Sequence, residues 1–312
     1  MVFTKKNSLI TLYATIFILI FETLILKVSP QLFSIFNTLP LLVLGLIIEL
    51  KFFAWSIILS NLFLFSISFS ENIFLFSNLN FSNLFFSHLL ISILTFLLFS
   101  LIKSQQIKEK NLGETFAIFN LLFCIILFLF LFFFYTNTNL EKIGVYLTNV
   151  LSGLFENLQN NDKSKIQEIV YKILPFLPSI NFFLIEATTI INLFFAKLLI
   201  SKSTFQNIYN INLENFTIPK WYFFFFISIL IFSSYFHTDI KLYFQNFLII
   251  STFIYVMDGF ICSWNFLKQF KTNTYIKLLI IFLLFIFLGY LLILFIFILG
   301  FYRNFKFVIN KN

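Results

Sequence analysis

The chain has 312 residues, 60% of them hydrophobic and only 11% charged, with a mean hydropathy of +0.97. A soluble domain of this size needs far more charge to cover its surface, so a soluble globular protein is excluded. The formal net charge of +8 is placed at the ends of apolar runs, where lysines set topology and meet anionic lipid head groups, and nucleic acid is not expected as a partner.

About 20 apolar residues cross a hydrocarbon core of about 30 Å, so a chain of this length with short connections accommodates about eight or nine spans. Transmembrane barrels alternate apolar and polar residues, whereas runs such as Leu121 to Phe134 are apolar on every side. The expected fold is therefore all-α: a polytopic transmembrane helix bundle with about eight or nine spans, forming a single membrane domain over 1–312. In chain order the spans are predicted near 8–27, 31–50, 52–69, 84–102, 114–135, 176–200, 221–237, 243–267 and 276–301.

The first run follows Lys5 and Lys6 and has no small-residue cleavage pattern at its end. It reads as a retained span with a cytoplasmic N-terminus, not a signal peptide. Spans two and three are separated by Glu49, Leu50 and Lys51. They form a tight hairpin or a span preceded by a re-entrant segment. Pro40 is expected to kink the second, and Glu49 and Lys51 are expected to reach water. The stretch from Ser70 to Asn83 lacks Lys and Arg, which suits the outer side.

The hydrophilic connection over 136–174 has a helical apolar pattern. Leu140, Ile143, Leu147, Val150, Leu151, Leu154 and Leu158 share one face, and Ile166, Ile169, Val170 and Ile173 resume it. Amphipathic extracytoplasmic helices on the membrane surface are expected, with a lid over an outward cavity as the sharper alternative. The Asn-rich stretch from Ser201 to Pro219 reads as a cytoplasmic loop. Nine spans put Arg303, Lys306 and Lys311 outside, against the positive-inside rule. A fold-back near Gly289 leaves about twelve residues per arm, too few for two spans, so the basic tail is read as an exception.

Phe is extreme at 53 residues, and Lys outnumbers Arg 20 to 1, a bias that reads as an A/T-rich genome. Large side chains must then serve helix contacts that small residues usually make. Cys124 and Cys262 both fall within spans, so no structural disulfide is expected. His88 and His237 are the two histidines, too few with two cysteines for a Cys/His zinc site. His88 is expected near the outer interface.

Ionisable groups within spans are costly and mark functional candidates. Glu22, Glu186 and Asp258 qualify. Ser251, Tyr255, Asp258, Cys262 and Asn265 are spaced four, three, four and three apart, which puts them on one side of a helix. Such a seam faces a cavity or other helices. Alternatively it is a packing seam, with Asp258 protonated or paired to a lysine. Glu186 and Lys197 share a face about 16 Å apart along the axis, too far for direct pairing. Glu22 continues a weaker seam from Ser8, Thr11 and Thr15, whose hydroxyls also bond to their own helix. Asn192 is placed to hydrogen-bond across helices.

The seven glycines are never closer than nine residues, so the chain has no phosphate-cradling loop and no ATPase domain of its own. HExxH and GxSxG are missing as well. No cofactor, metal site or enzymatic activity is expected.

Short elements recur in a familiar order. Leu39-Pro40-Leu41-Leu42 leads to Gly45-Leu46, and Leu177-Pro178 leads to Asn192 and Ala196. Ile218-Pro219-Lys220-Trp221 looks like a Leu-Pro-x-Trp element before a span. Asp258-Gly259-Phe260 stands where a Gln-Gly-Leu step is usual, and Leu299-Gly300 is followed by Arg303. In these elements the chain resembles the YybS-like predicted membrane proteins of bacteria, a domain-of-unknown-function family, in its Gram-negative branch. It departs from them at Asp258, where an amide is more usual, and near Phe301, where an acidic residue is missing. That family has been likened to the substrate-binding subunits of energy-coupling-factor transporters. The resemblance implies a multi-pass protein of the bacterial inner membrane. The corresponding functional expectation is a transporter or its substrate-binding membrane subunit, with membrane lipids around it and a membrane-protein or ATPase partner. A site would be drawn from Asp258, Glu186, Ser251, Tyr255, Asn265, Asn192 and Glu22. The alternative is a non-catalytic membrane scaffold or assembly factor.

Overall fold

A computed structural model describes residues 5–28, 36–70, 81–107, 111–136, 144–145, 147–149, 160–201, 216–236, 239–270, 276, 279, 283–284 and 287–310. No strand occurs among them. The helices are α1 (Lys5–Val28), α2 (Leu39–Ile47), α3 (Leu50–Ser70), α4 (Phe81–Ile107), α5 (Leu112–Thr136), α6 (Asn160–Ile173), α7 (Leu177–Ser201), α8 (Lys220–Tyr235), α9 (Asp239–Lys268) and α10 (Tyr290–Asn310). A 3-10 turn, Leu174–Phe176, joins α6 to α7.

Among the described residues, 5 stretches are long and apolar enough to cross a membrane: His88–Gln105, Leu112–Phe132, Lys165–Ser201, Ile240–Lys268 and Leu291–Asn310. Leu9–Phe21, Leu50–Ser66 and Lys220–Tyr235 are apolar but shorter. These helices expose large apolar side chains, including Leu62, Phe63, Leu129, Phe224 and Ile231. Water does not tolerate that much contiguous apolar surface on a monomer; lipid does. The chain is a helical, membrane-embedded protein.

Two sequence expectations change here. Pro40 does not kink a long span: it lies in the first turn of α2, just after Thr38. Its missing N–H faces no lost bond there, and its fixed φ suits a helix start. As described, α2 has 9 residues, about 14 Å at the helical rise, less than half the bilayer core. Ile48 then turns to an extended conformation, with φ −109° and ψ 153°. The last predicted span is also interrupted. Gly289 takes φ +50°, a left-handed conformation open to a residue without Cβ, and α10 starts at the next residue. Arg303 and Lys306 therefore belong to a helix and not to a tail beyond one.

Of the amphipathic connection, 144–145, 147–149 and α6 are helical; the remainder of the predicted pattern between 137 and 159 lies outside the described residues. On α6 Val170 is buried while Ile169 and Ile173 are exposed. Lys172 donates to Glu168 at 2.6 Å across one turn.

The described residues form two compact units, one within 1–115 and 186–212, the other within 116–185 and 213–312. In the first, α3 carries a polar seam against α1 and α4. Ser56 Oγ donates to Phe52 O on its own helix and approaches Thr11 O at 3.4 Å. Ser60 Oγ lies 3.0 Å from His88 Nε2, and Asn61 Nδ2 donates to Ser92 Oγ at 3.0 Å. His88 is thus buried between helices. A hydrogen bond to a hydroxyl offsets its cost inside the apolar unit. Gly45 on α2 lies against the ring of Phe99, which meets Phe53 edge-on at 5.6 Å.

In the second unit α8 and α9 form an antiparallel hairpin. Phe232 contacts Phe244 near the turn, and Tyr222 reaches Ser251 at the far end. Tyr222 Oη donates to Asn120 Oδ1 at 2.6 Å, with Ser251 O at 3.0 Å, while Asn120 Nδ2 donates to Ile250 O at 3.0 Å. These bonds tie α5, α8 and α9 together. α10 crosses α9 where Gly259 and Gly300 meet backbone to backbone, and Tyr255, Phe226, Phe297 and Phe301 pack around the crossing. Two of the seven glycines thus meet at one crossing, in a chain otherwise packed by phenylalanines.

Candidate functional site

Asp258 sits on α9 beside the glycine crossing, with its side chain 2% exposed. A buried carboxylate needs a partner. Arg303, one turn beyond Gly300 on α10, supplies it: Nη1 donates to Asp258 Oδ1 at 3.0 Å. The other arm of the guanidinium, Nη2, donates to Phe216 O at 3.1 Å. The fork therefore serves two acceptors on two chain segments, which a lysine ammonium cannot do with the same fixed geometry. The packing-seam alternative has Asp258 protonated or paired to a lysine; its partner is the chain's single arginine.

The next residue extends the clasp. Asn304 Nδ2 donates to Ile218 O at 3.1 Å. Residues 216–219 have no regular secondary structure, Phe216 and Ile218 are buried, and Pro219 holds an extended φ −67° and ψ 148° just before α8. The end of the predicted cytoplasmic loop is thus pinned to the last helix. Residues 202–215 of that loop lie outside the described residues.

The pair helps line a cavity of about 320 Å³, together with Thr217, Ile218, Asn304, Lys306, Phe307 and Asn310. Ligand pockets run from about 300 to 1,000 Å³, so this one suits a small group. Asn304 is 3% exposed, and its Oδ1 is buried with no hydrogen-bond partner.

Of the seven site residues expected from sequence, Asp258 lines this cavity. Tyr255 and Ser251 lie about one and two turns before it and are buried; Ser251 Oγ bonds to Leu248 O of its own helix at 3.0 Å. Asn265, further along the same side, is half-buried, as is Cys262. The seam is thus buried up to Asp258 and opens beyond it. Glu186 and Asn192 belong to the first unit, where both are fully buried. Asn192 Nδ2 donates to Thr38 Oγ1 at 2.6 Å, the interhelix bond expected of it. Thr15 Oγ1 bonds to Thr11 O of its own helix. The side chain of Glu22 lies outside the described residues.

Sequence reasoning did not assign Arg303, Asn304, Lys306 or Thr217 to a site. One signal was present for Arg303: in a chain with 20 lysines, a lone arginine marks a place where planar, two-armed hydrogen bonding matters. No protein-family model matches the chain, and no curated protein or solved structure shows significant similarity to it.

Proposed function

We propose that this chain is a small-solute-binding protein of the bacterial inner membrane, a transporter or the substrate-binding membrane subunit of one. The observation that carries the reading is the cavity lined in part by the Asp258–Arg303 pair. Buried ionic groups beside a cavity of a lipid-embedded protein are costly unless they serve a ligand or an essential clasp. The energy for transport would come from a partner ATPase or an ion gradient. The topology that goes with this reading has eight or nine spans and a cytoplasmic N-terminus, from the lysine distribution. Kinship with the YybS-like proteins is part of the same proposal, resting on the short motifs around Pro40, Asn192, Trp221 and Gly259.

The test is purification of the full-length protein in mild detergent, followed by native mass spectrometry. A small molecule retained by the wild type and lost from Asp258→Asn, at equal expression, supports the reading. A wild type that retains nothing, or a variant that retains the same molecule equally, removes its basis. The scaffold alternative draws on the amphipathic connection over 136–174, whose helix α6 exposes Ile169 and Ile173 beside Lys165 and Lys172. It requires a co-purifying membrane protein that deletion of 140–158 releases.

A further inference from the structure

The cavity lining is not electrically neutral. Among the described residues that line it, Asp258 is the single acidic side chain and is already committed to Arg303. Lys306 adds a second cation with no acidic partner among the lining residues. A cationic or neutral apolar solute gains nothing from this balance, whereas an anion does. The remaining polar atoms add a second requirement. Asn304 spends its N–H on Ile218 O and keeps a buried, unpartnered carbonyl oxygen. That oxygen can only accept, so the matching ligand atom is a hydroxyl or amine hydrogen. Leaving such a buried acceptor unmatched is costly.

The location adds a third. Arg303, Lys306 and Asn310 lie in the last turns of α10, which ends at Asn310. Thr217 and Ile218 lead directly into Lys220 and Trp221 at the start of α8. Basic residues and a tryptophan at helix ends mark the membrane–water boundary. Arg303 and Lys306, three residues apart on α10 and both lining the cavity, can reach different oxygens of one group, which suits a tetrahedral oxyanion with several acceptors better than a single-point anion.

From the solute-binding reading above, on which this rests, we infer that the cavity receives a phosphate group carrying a neighbouring hydroxyl or amine. Arg303 and Lys306 face the phosphate, and Asn304 Oδ1 accepts from the neighbouring donor. The same chemistry occurs on a phospholipid head group and on a free phosphate ester such as glycerol 3-phosphate.

The experiment uses full-length protein in phosphatidylcholine nanodiscs. One arm titrates radiolabelled glycerol 3-phosphate by equilibrium dialysis. The other includes phosphatidylglycerol at low fraction and measures its enrichment around the protein by lipid mass spectrometry. Retention in the first arm identifies a soluble ester, and enrichment in the second identifies a lipid. In either case Lys306→Gln, an exposed change, weakens binding by about fivefold, the size of one basic residue's pull at a membrane surface. Arg303→Lys weakens it further. Binding that is unaffected by Lys306→Gln overturns the assignment, as does failure of both arms. If both arms fail while native mass spectrometry finds another molecule lost from Asp258→Asn, the phosphate assignment falls and the solute-binding reading stands. If that measurement finds nothing either, both fall.

Discussion

Replacing Gly259 by alanine tests the geometry on which the candidate site depends. A Cβ at this position meets the carbonyl oxygen of Ile296 and comes within 3.0 Å of Gly300 N. Both are backbone atoms of α10, so no side-chain rotation relieves the collision. Comfortable non-bonded separations are about 3.5–4.0 Å, so the two helices must part by on the order of 1 Å. Overpacking of this kind costs about 1–3 kcal/mol. The displacement also stretches the 3.0 Å bond between Arg303 and Asp258, which sit next to the crossing on the two helices. We expect a total near the upper end, about 3 kcal/mol, or roughly 6–12 °C in Tm at about 2–4 °C per kcal/mol. Thermal unfolding in detergent followed with a thiol-reactive dye reads this directly, since Cys124 is buried and Cys262 half-buried. Gly289→Ala is the control. Nothing lies within 4 Å of its added Cβ, so only the left-handed backbone is penalised, at about 1–2 kcal/mol. A Gly259→Ala protein that melts with the wild type would refute the close crossing and the cavity built beside it.

In the first unit, Gly45→Ala drives a methyl into the ring of Phe99. It should lower stability by about 1–3 kcal/mol, and Phe99→Leu in the same chain should restore part of it in a double-mutant thermal series. Tyr222→Phe removes the hydroxyl shared between Asn120 Oδ1 and Ser251 O. A loss of about 1–3 kcal/mol is expected, because the acceptors stay buried; equal melting temperatures would show that the bond carries nothing. Asn192→Leu or Thr38→Val each breaks the 2.6 Å bond between them. Each should cost about 0.6–1.7 kcal/mol, with little further loss in the double variant.

The helices and their lipid setting were readable because uninterrupted apolar runs leave a chain little choice. Where one helix ends and the next begins was less so. Pro40 carries opposite meanings inside a helix and at its first turn, and only the position of the start decides between them. At Gly289 a fold-back is set aside on arm length, an argument that bears on two full spans and not on a local left-handed turn. Asp258 stood out because an acid among apolar neighbours on one helical side is expensive wherever it lies. Its partner did not, because Arg303 is separated from it by 45 positions, far beyond any helical periodicity. The bond of His88 was hidden for a similar reason: Ser60 is on another helix, 28 residues away.

The two-armed clasp of Arg303 also sets an order of assembly. Phe216 and Asp258 are synthesised well before residue 303, so the ledge ahead of α8 and the acid on α9 enter the bilayer without the group that joins them. The cavity beside them is therefore complete only when α10 docks, and a ribosome stalled earlier than that releases a chain that is inserted but lacks it.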